Sequence, residues 1–252
     1  MSGTRSPSPR APATDPRADL ALVIATHGID GGAGIAAEHA RRIAARGIFA
    51  SVREACLRGT PSLEEVIAGL DAPAVRVVPL LMAEGYILAW LRARLAGLRR
   101  TRRLELCRTI GASPEIAAII RESAEARCRE AGWTCARTSL VLAGHGTARY
   151  LTSGDTAFAQ ASRIREKGVF AEVFCAFLEQ EPFLAEVVAR IAGPVMVAGF
   201  FVDAGPHGRD DVETVLAPFG ERVVYLGPLG SHPRITELIL QAASDCAPVV
   251  PG

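Results

Sequence analysis

Residues 20–28 read LALVIATHG, and residues 138–146 read TSLVLAGHG. Each is an apolar run of strand length that stops at a His-Gly turn. The correspondence continues outward from both. A helical stretch follows, closing on Arg46-Gly47-Ile48-Phe49-Ala50 in one copy and on Lys167-Gly168-Val169-Phe170-Ala171 in the other. SVREACLRGTPSLEEVIAGL (51–70) pairs with EVFCAFLEQEPFLAEVVARI (172–191), each a strand that turns into a helix at a proline, Pro61 or Pro182. VRVVPLLMAEG (75–85) pairs with PVMVAGFFVDAG (194–205), and LELCRTIGASPEIAAII (104–120) with RVVYLGPLGSHPRITELIL (222–240). The chain is an internal duplication.

Each copy alternates strand and helix four times. The strands are Val-, Leu- and Ile-rich and apolar throughout, as expected of parallel sheets covered on both faces. The helices are amphipathic: 180–191 sets Phe183, Leu184, Val187, Val188 and Ile191 on one stripe. The expected fold class is α/β: two tandem parallel-sheet sandwich lobes related by internal duplication, with a cleft between them. The expected division is a disordered tail over 1–19, rich in Ser, Pro, Arg and Ala, then lobes over 20–132 and 133–252.

Composition narrows the function classes. Of 252 residues, 49% are hydrophobic, enough for a substantial core. Lys and Arg number 28 against 27 Asp and Glu, a net charge of +1, which leaves no footprint for nucleic acid or a charged membrane. Arg99, Arg100, Arg102 and Arg103 read as the solvated end of a helix. No apolar run approaches the roughly 18 residues of a membrane span, and the N-terminus lacks a signal-peptide core. The six cysteines, at 56, 107, 128, 135, 175 and 246, form no CxxC pair. A cytoplasmic chain with reduced thiols is expected.

Ligands of parallel α/β sheets bind beyond the carboxyl ends of strands. In the second copy those ends carry His145, then Phe177-Leu178-Glu179, then the loop from Asp203 through His207, Arg209 and Asp210-Asp211, then Ser231-His232-Pro233. Two imidazoles and a carboxylate on one sheet edge suit a divalent ion of Co, Fe, Ni or Zn type. A histidine after a strand is also a common turn residue, and His39, mid-helix in AAEHARRIAAR, reads as solvated. His232, ahead of Pro233, reads as a helix-start residue and a candidate for touching substrate.

These motifs carry a resemblance. Leu142-Ala143-Gly144-His145-Gly146, then Ala176-Phe177-Leu178-Glu179 with Pro182, then Ala204-Gly205-Pro206-His207 with Asp210-Asp211, resemble the class II chelatases of the CbiX/SirB type. These are the sirohydrochlorin cobalto- and ferrochelatases. The first copy resembles a divergent repeat, so the resemblance spans nearly all of 20–245. Two departures stand out. Pro206 replaces the second glycine of the family's Gly-Gly-His, and the first copy keeps His27 but carries Arg58 where the second has Glu179, with no counterpart of His207 around Gly85 and Tyr86.

The resemblance implies an enzyme that inserts Co²⁺, Fe²⁺ or Ni²⁺ into sirohydrochlorin or a related tetrapyrrole, in cobalamin- or siroheme-type biosynthesis. The metal is a substrate, and no permanent cofactor is implied. His145, Glu179 and His207 are the implied metal ligands and catalytic groups, with Glu179 as proton acceptor. His27, Arg58, Tyr86, Arg149, Arg209 and His232 are candidates for binding the carboxylate-rich macrocycle, arginine because its planar fork grips carboxylate bidentately. Expected partners are the tetrapyrrole and the metal ion, without nucleic acid or membrane, on a monomer or homodimer. Two other classes stay open on the residues: a non-catalytic metal or tetrapyrrole carrier, and a phosphatase using His27 or His145. The latter lacks its Arg-His-Gly run, and no GxxxxGK[ST] nucleotide loop is present.

Overall fold

The computed structural model describes residues 19–28, 32–98, 102–147, 154–205 and 208–248. Apolar runs become strands and the amphipathic stretches between them become helices. The first half runs β1 (Leu20–Thr26), α1 (Ile35–Ala44), β2 (Ser51–Cys56), α2 (Leu63–Ala68), β3 (Ala74–Pro79), α3 (Tyr86–Leu98), β4 (Arg103–Leu106) and α4 (Glu115–Glu130). The second runs β5 (Ser139–Gly144), α5 (Asp155–Arg165), β6 (Val173–Phe177), α6 (Leu184–Arg190), β7 (Val195–Gly199), α7 (Asp210–Leu216), β8 (Val223–Pro228) and α8 (Ile235–Ser244). The chain then adds a two-residue strand, β9 (Ala247–Pro248).

The sheets have equivalent orders, β2-β1-β3-β4 and β6-β5-β7-β8, with every pair parallel. One strand departs from the expected all-parallel pattern: β9 crosses from the end of the chain to pair antiparallel with the edge strand β4. The duplication holds at single bonds. Leu57 N–H donates to Thr26 O at 2.8 Å and Leu178 N–H to Gly144 O at 3.1 Å. Cys56 N–H donates to Pro61 O and Phe177 N–H to Pro182 O, at 2.7 and 2.9 Å; both prolines follow cis peptide bonds. Ser62 and Glu65 close a capping box on α2, each satisfying the other's backbone N–H.

Alternation along each strand splits its side chains between two cores. Val23, Val75 and Val77 face outward onto Leu63 and Ile67 of α2 and Leu91 and Leu95 of α3. Val141 and Val197 face Leu184 and Val188 of α6 and Val212 and Leu216 of α7. The other faces, with Leu22 and Ile24 on one sheet and Leu140 and Leu142 on the other, join a single central core. Each fully buried Leu or Ile there contributes about 1.5–3 kcal/mol of transfer free energy.

Within that core the last helices exchange sheets. The α4 helix packs on β7 and β8, and α8 packs on β3 and α1. Polar ties follow the exchange. Arg76 on β3 donates to Ala243 O at 2.8 Å, Arg46 pairs with Glu237, and Arg234 bonds Glu122 and Glu115 at 2.7 and 3.1 Å. The halves are therefore clasped, not merely opposed across a cleft.

Three expectations are corrected. His39 is fully buried, because α8 and the Gly230 turn cover it. Arg102 is not a solvated helix end. It donates to Ala72 O and Ala68 O at the end of α2, as Arg222 does to Ile191 O and Val188 O at the end of α6, while Arg103 pairs with Glu105 at 2.6 Å. Arg99 and Arg100 lie outside the described residues. Finally, Cys107 and Cys246 form a disulfide that ties the end of β4 to the chain's last segment, leaving four free thiols.

Candidate functional site

His145 and Glu179 lie at the carboxyl ends of two adjacent strands of the second sheet. His145 follows β5, and Glu179 follows β6, the strand beside it. The Glu179 N–H donates to the His145 carbonyl at 2.9 Å, which fixes the two backbones together. Their side chains then meet with Nε2 of His145 3.7 Å from Oε2 of Glu179. Both are accessible, at 42% and 60% side-chain exposure, although Nδ1 of His145 is buried. Thr147 N–H donates to Gln180 Oε1 at 3.2 Å, a second tie between the segments after β5 and β6.

The third expected ligand, His207, lies outside the described residues, as does Arg149. The loop that leads to His207 leaves β7 beside β5. Among the described residues no cluster of three or more His, Cys, Asp or Glu has metal-holding geometry, so the described part of the site is the His145–Glu179 pair.

The first half repeats the frame with other chemistry. Arg58 N–H donates to the His27 carbonyl at 2.8 Å, so Arg58 stands where Glu179 stands in the second half. His27 is exposed, and Tyr86, at the start of α3, is 46% exposed. A histidine and an arginine thus replace a histidine and a carboxylate. Arg209 is exposed at the start of α7. His232 sits apart from this group. It lines a cavity of about 260 Å³ between α4 and β8, with Ile120, Ser123 and Gly227. There its Nδ1 accepts from Arg234 N–H at 3.2 Å, and burial lowers its pKa.

Asp203 was not singled out from sequence. Its Oδ1 accepts the Ile35 N–H at 2.7 Å, so the loop after β7 caps α1 of the other half. A side chain on Gly34 would lie 2.5 Å from that oxygen, so only glycine admits the approach. Burial raises the Asp203 pKa, opposed by the Ile35 N–H and by His39. An open cavity of about 270 Å³ lies beside it, lined by Glu38, Arg41 and Ser231 among others. No local signal announces this contact, because its partner is 168 residues away.

The family model for CbiX matches the chain twice, over residues 21–127 and again over 139–246. The chain belongs to the CbiX family. The two matches coincide with the two sheets and their strand-end sites. A "Probable sirohydrochlorin cobaltochelatase" of Halobacterium salinarum is 28% identical over 273 residues, covering 91% of this chain and 92% of that protein.

Two solved structures extend the likeness. A multi-domain protein of Deinococcus radiodurans, described as structurally similar to chelatases with two additional novel domains, superposes with a TM-score of 0.72 at 25% identity. That match covers 90% of this chain and 55% of the Deinococcus protein, so the chain spans about half its length. A CbiX described as the terminal enzyme of siroheme biosynthesis in denitrifying bacteria superposes at 0.71, with 23% identity over 88% of this chain and 97% of that one. At that identity the likeness is one of fold. Within this fold the second half pairs a histidine with a carboxylate, and the first half pairs a histidine with Arg58.

Proposed function

We propose that this CbiX protein is a sirohydrochlorin chelatase that inserts a divalent metal, Co²⁺ or Fe²⁺ foremost and Ni²⁺ by the same donor chemistry, into the macrocycle. The observation that carries the reading is the approach of His145 Nε2 to Glu179 Oε2, 3.7 Å apart at neighbouring strand ends. Membership of the CbiX family and the cobaltochelatase name of the Halobacterium relative support the same reaction. The metal is a substrate here, and the protein's part is to present it, receive protons and hold the ring.

On this reading His145, with His207 from the loop after β7, offers neutral imidazole nitrogen, a donor suited to all three ions. Glu179 takes up the protons that two ring N–H groups must lose, or completes the metal's ligands. The exposure of both described side chains lets the ion arrive from water and shed it at the site. His27, Arg58, Tyr86, Arg149 and Arg209 hold the macrocycle and its carboxylates, with His232 as the outlying candidate. Among the described residues no helix is long and apolar enough to cross a membrane. We place the enzyme in the cytoplasm, with the Cys107–Cys246 bond as an exception to the reduced thiols usual there.

The test is an anaerobic absorbance assay with sirohydrochlorin and each metal in turn. Catalysed, metal-dependent conversion above the protein-free rate is expected. Tight binding of metal or macrocycle with no acceleration makes the protein a carrier instead.

A further inference from the structure

The Arg58 position holds more structure than a surface arginine requires. Its backbone is fixed against the His27-Gly28 turn: Gly28 has φ of +95°, and a Cβ there would lie 2.0 Å from the Arg58 carbonyl oxygen. Its guanidinium carbon lies 5.9 Å from the centre of the Trp90 ring, within reach of a cation–π contact. Trp90 is held in turn, because the Arg94 guanidinium lies 4.7 Å from the same ring. Arg94 is itself anchored. It grips both Glu64 oxygens with its fork and donates to the Leu57 carbonyl at 2.7 Å, one residue before Arg58.

The two cations differ in what they have left to give. Arg94 is neutralised by Glu64, whose pKa is lowered chiefly by that hydrogen bond. Arg58 is exposed, and among the described residues no carboxylate pairs with it. An arginine over an aromatic ring keeps its in-plane N–H donors directed away from the ring, which is the geometry for a bidentate carboxylate.

From this arrangement we infer that the first half is an anion subsite in which Arg58 binds a carboxylate of the substrate and Trp90, braced by Arg94 and Glu64, is its positioning residue. The inference rests on the chelatase reading and adds a division of labour to it. The metal belongs to the half that has Glu179, and the substrate carboxylate to the half that has Arg58 in its place. Placing a cation there also keeps a second metal ion out of the first half.

The experiment uses the full chain. Steady-state insertion and direct absorbance titration with sirohydrochlorin are measured for wild type, Arg58→Met, Trp90→Leu and Trp90→Phe, with thermal midpoints as the folding control. The expected result is a KM for sirohydrochlorin raised about tenfold or more in Arg58→Met and Trp90→Leu, with kcat kept within about threefold, the signature of lost uniform binding. Trp90→Phe, which keeps an aromatic face, should recover most of the loss. An unchanged KM in folded Arg58→Met overturns the inference, as does a fall in kcat at unchanged KM. Equal KM values for Trp90→Leu and wild type remove Trp90 from the device. If wild type inserts no metal at all, the chelatase reading fails. The titration then decides the subsite separately: affinity for sirohydrochlorin lost in Arg58→Met supports it, and affinity retained overturns it.

Discussion

His39 and Gln160 occupy equivalent positions in the two halves and make the same bond from one half to the other. Nε2 of His39 donates to the Gly230 carbonyl at 2.8 Å, and Nε2 of Gln160 donates to the Gly111 carbonyl at 2.7 Å. Each reaches from the helix after a first strand to the short 3-10 turn after the fourth strand of the opposite half. Since a carbonyl only accepts, His39 carries its proton on Nε2, and its Nδ1 accepts from the Thr236 hydroxyl at 2.8 Å. The duplication has thus kept a donor at this place while changing its chemistry from an amide to a titratable ring.

That change makes the first prediction. Burial is the largest influence on His39 and lowers its pKa below 6.5, outweighing the carbonyl of Gly230 that favours the charged ring. Well above 6.5 both folded and unfolded chains leave it neutral, and its contribution is constant. Below 6.5 the unfolded chain takes a proton that the native chain resists, so stability falls as the pH falls. His39→Gln restores the Gln160 arrangement without the titration. Urea unfolding from pH 8 to pH 5 should show the wild type losing stability relative to the variant only on the acid side. Parallel curves throughout would remove His39 from the pH response.

Glycines at the two 3-10 turns admit no side chain. A Cβ on Gly111 would lie 2.1 Å from Met82 O, and one on Gly230 would lie 1.9 Å from Val202 O. Gly111→Ala and Gly230→Ala should each cost about 1–3 kcal/mol by forcing backbone apart. Gly97, inside α3 with open space around it, is the contrast. Gly97→Ala should gain about 0.4–1 kcal/mol by stiffening the unfolded chain. Denaturant midpoints of the three variants check both signs.

The Cys107–Cys246 bond joins residues 139 apart in sequence, a closure worth up to about 5 kcal/mol on chain-entropy grounds. Thiol titration of unfolded protein without reductant should therefore count four thiols, and six after reduction. Reduction, or Cys246→Ser, should lower the unfolding midpoint and free β9 first, visible as faster amide exchange at Glu105 and Leu106, where β9 pairs. Six thiols in the unreduced protein would exclude the bond.

At the proposed metal site, Glu179→Gln keeps size and one oxygen but removes the base. Single-turnover insertion should fall by roughly 10²–10⁴-fold while macrocycle binding persists. If excess metal restores the rate, Glu179 is a ligand and not the proton acceptor. Metal titration should find one tight site per chain, because Arg58 stands in the first half where Glu179 stands in the second. Two equivalent sites would contradict the asymmetry.

The sequence by itself determined the repeat, the α/β class and the equivalence of Arg58 with Glu179. Strands buried on both faces must be continuously apolar, and their turns need glycine or proline at fixed places, so both copies kept a legible pattern. It also put His145 and Glu179 at the carboxyl ends of strands on one sheet edge, while the fold decided that those two strands are neighbours. Only the tertiary structure decided what covers each helix. Local periodicity gives a helix one buried stripe and leaves Arg41 and Arg42 beside His39 reading as a polar face, but α8 arrives from the far end of the chain and buries that histidine. The exchange of α4 and α8, the reach of Asp203 to the Ile35 N–H, the Cys107–Cys246 bond, the hold of Glu64 on Arg94 and the approach of Arg58 to Trp90 have the same origin. Each joins residues far apart in the chain, and hydrogen bonds, desolvation and ring contacts depend on distances in space that no periodicity along the sequence encodes.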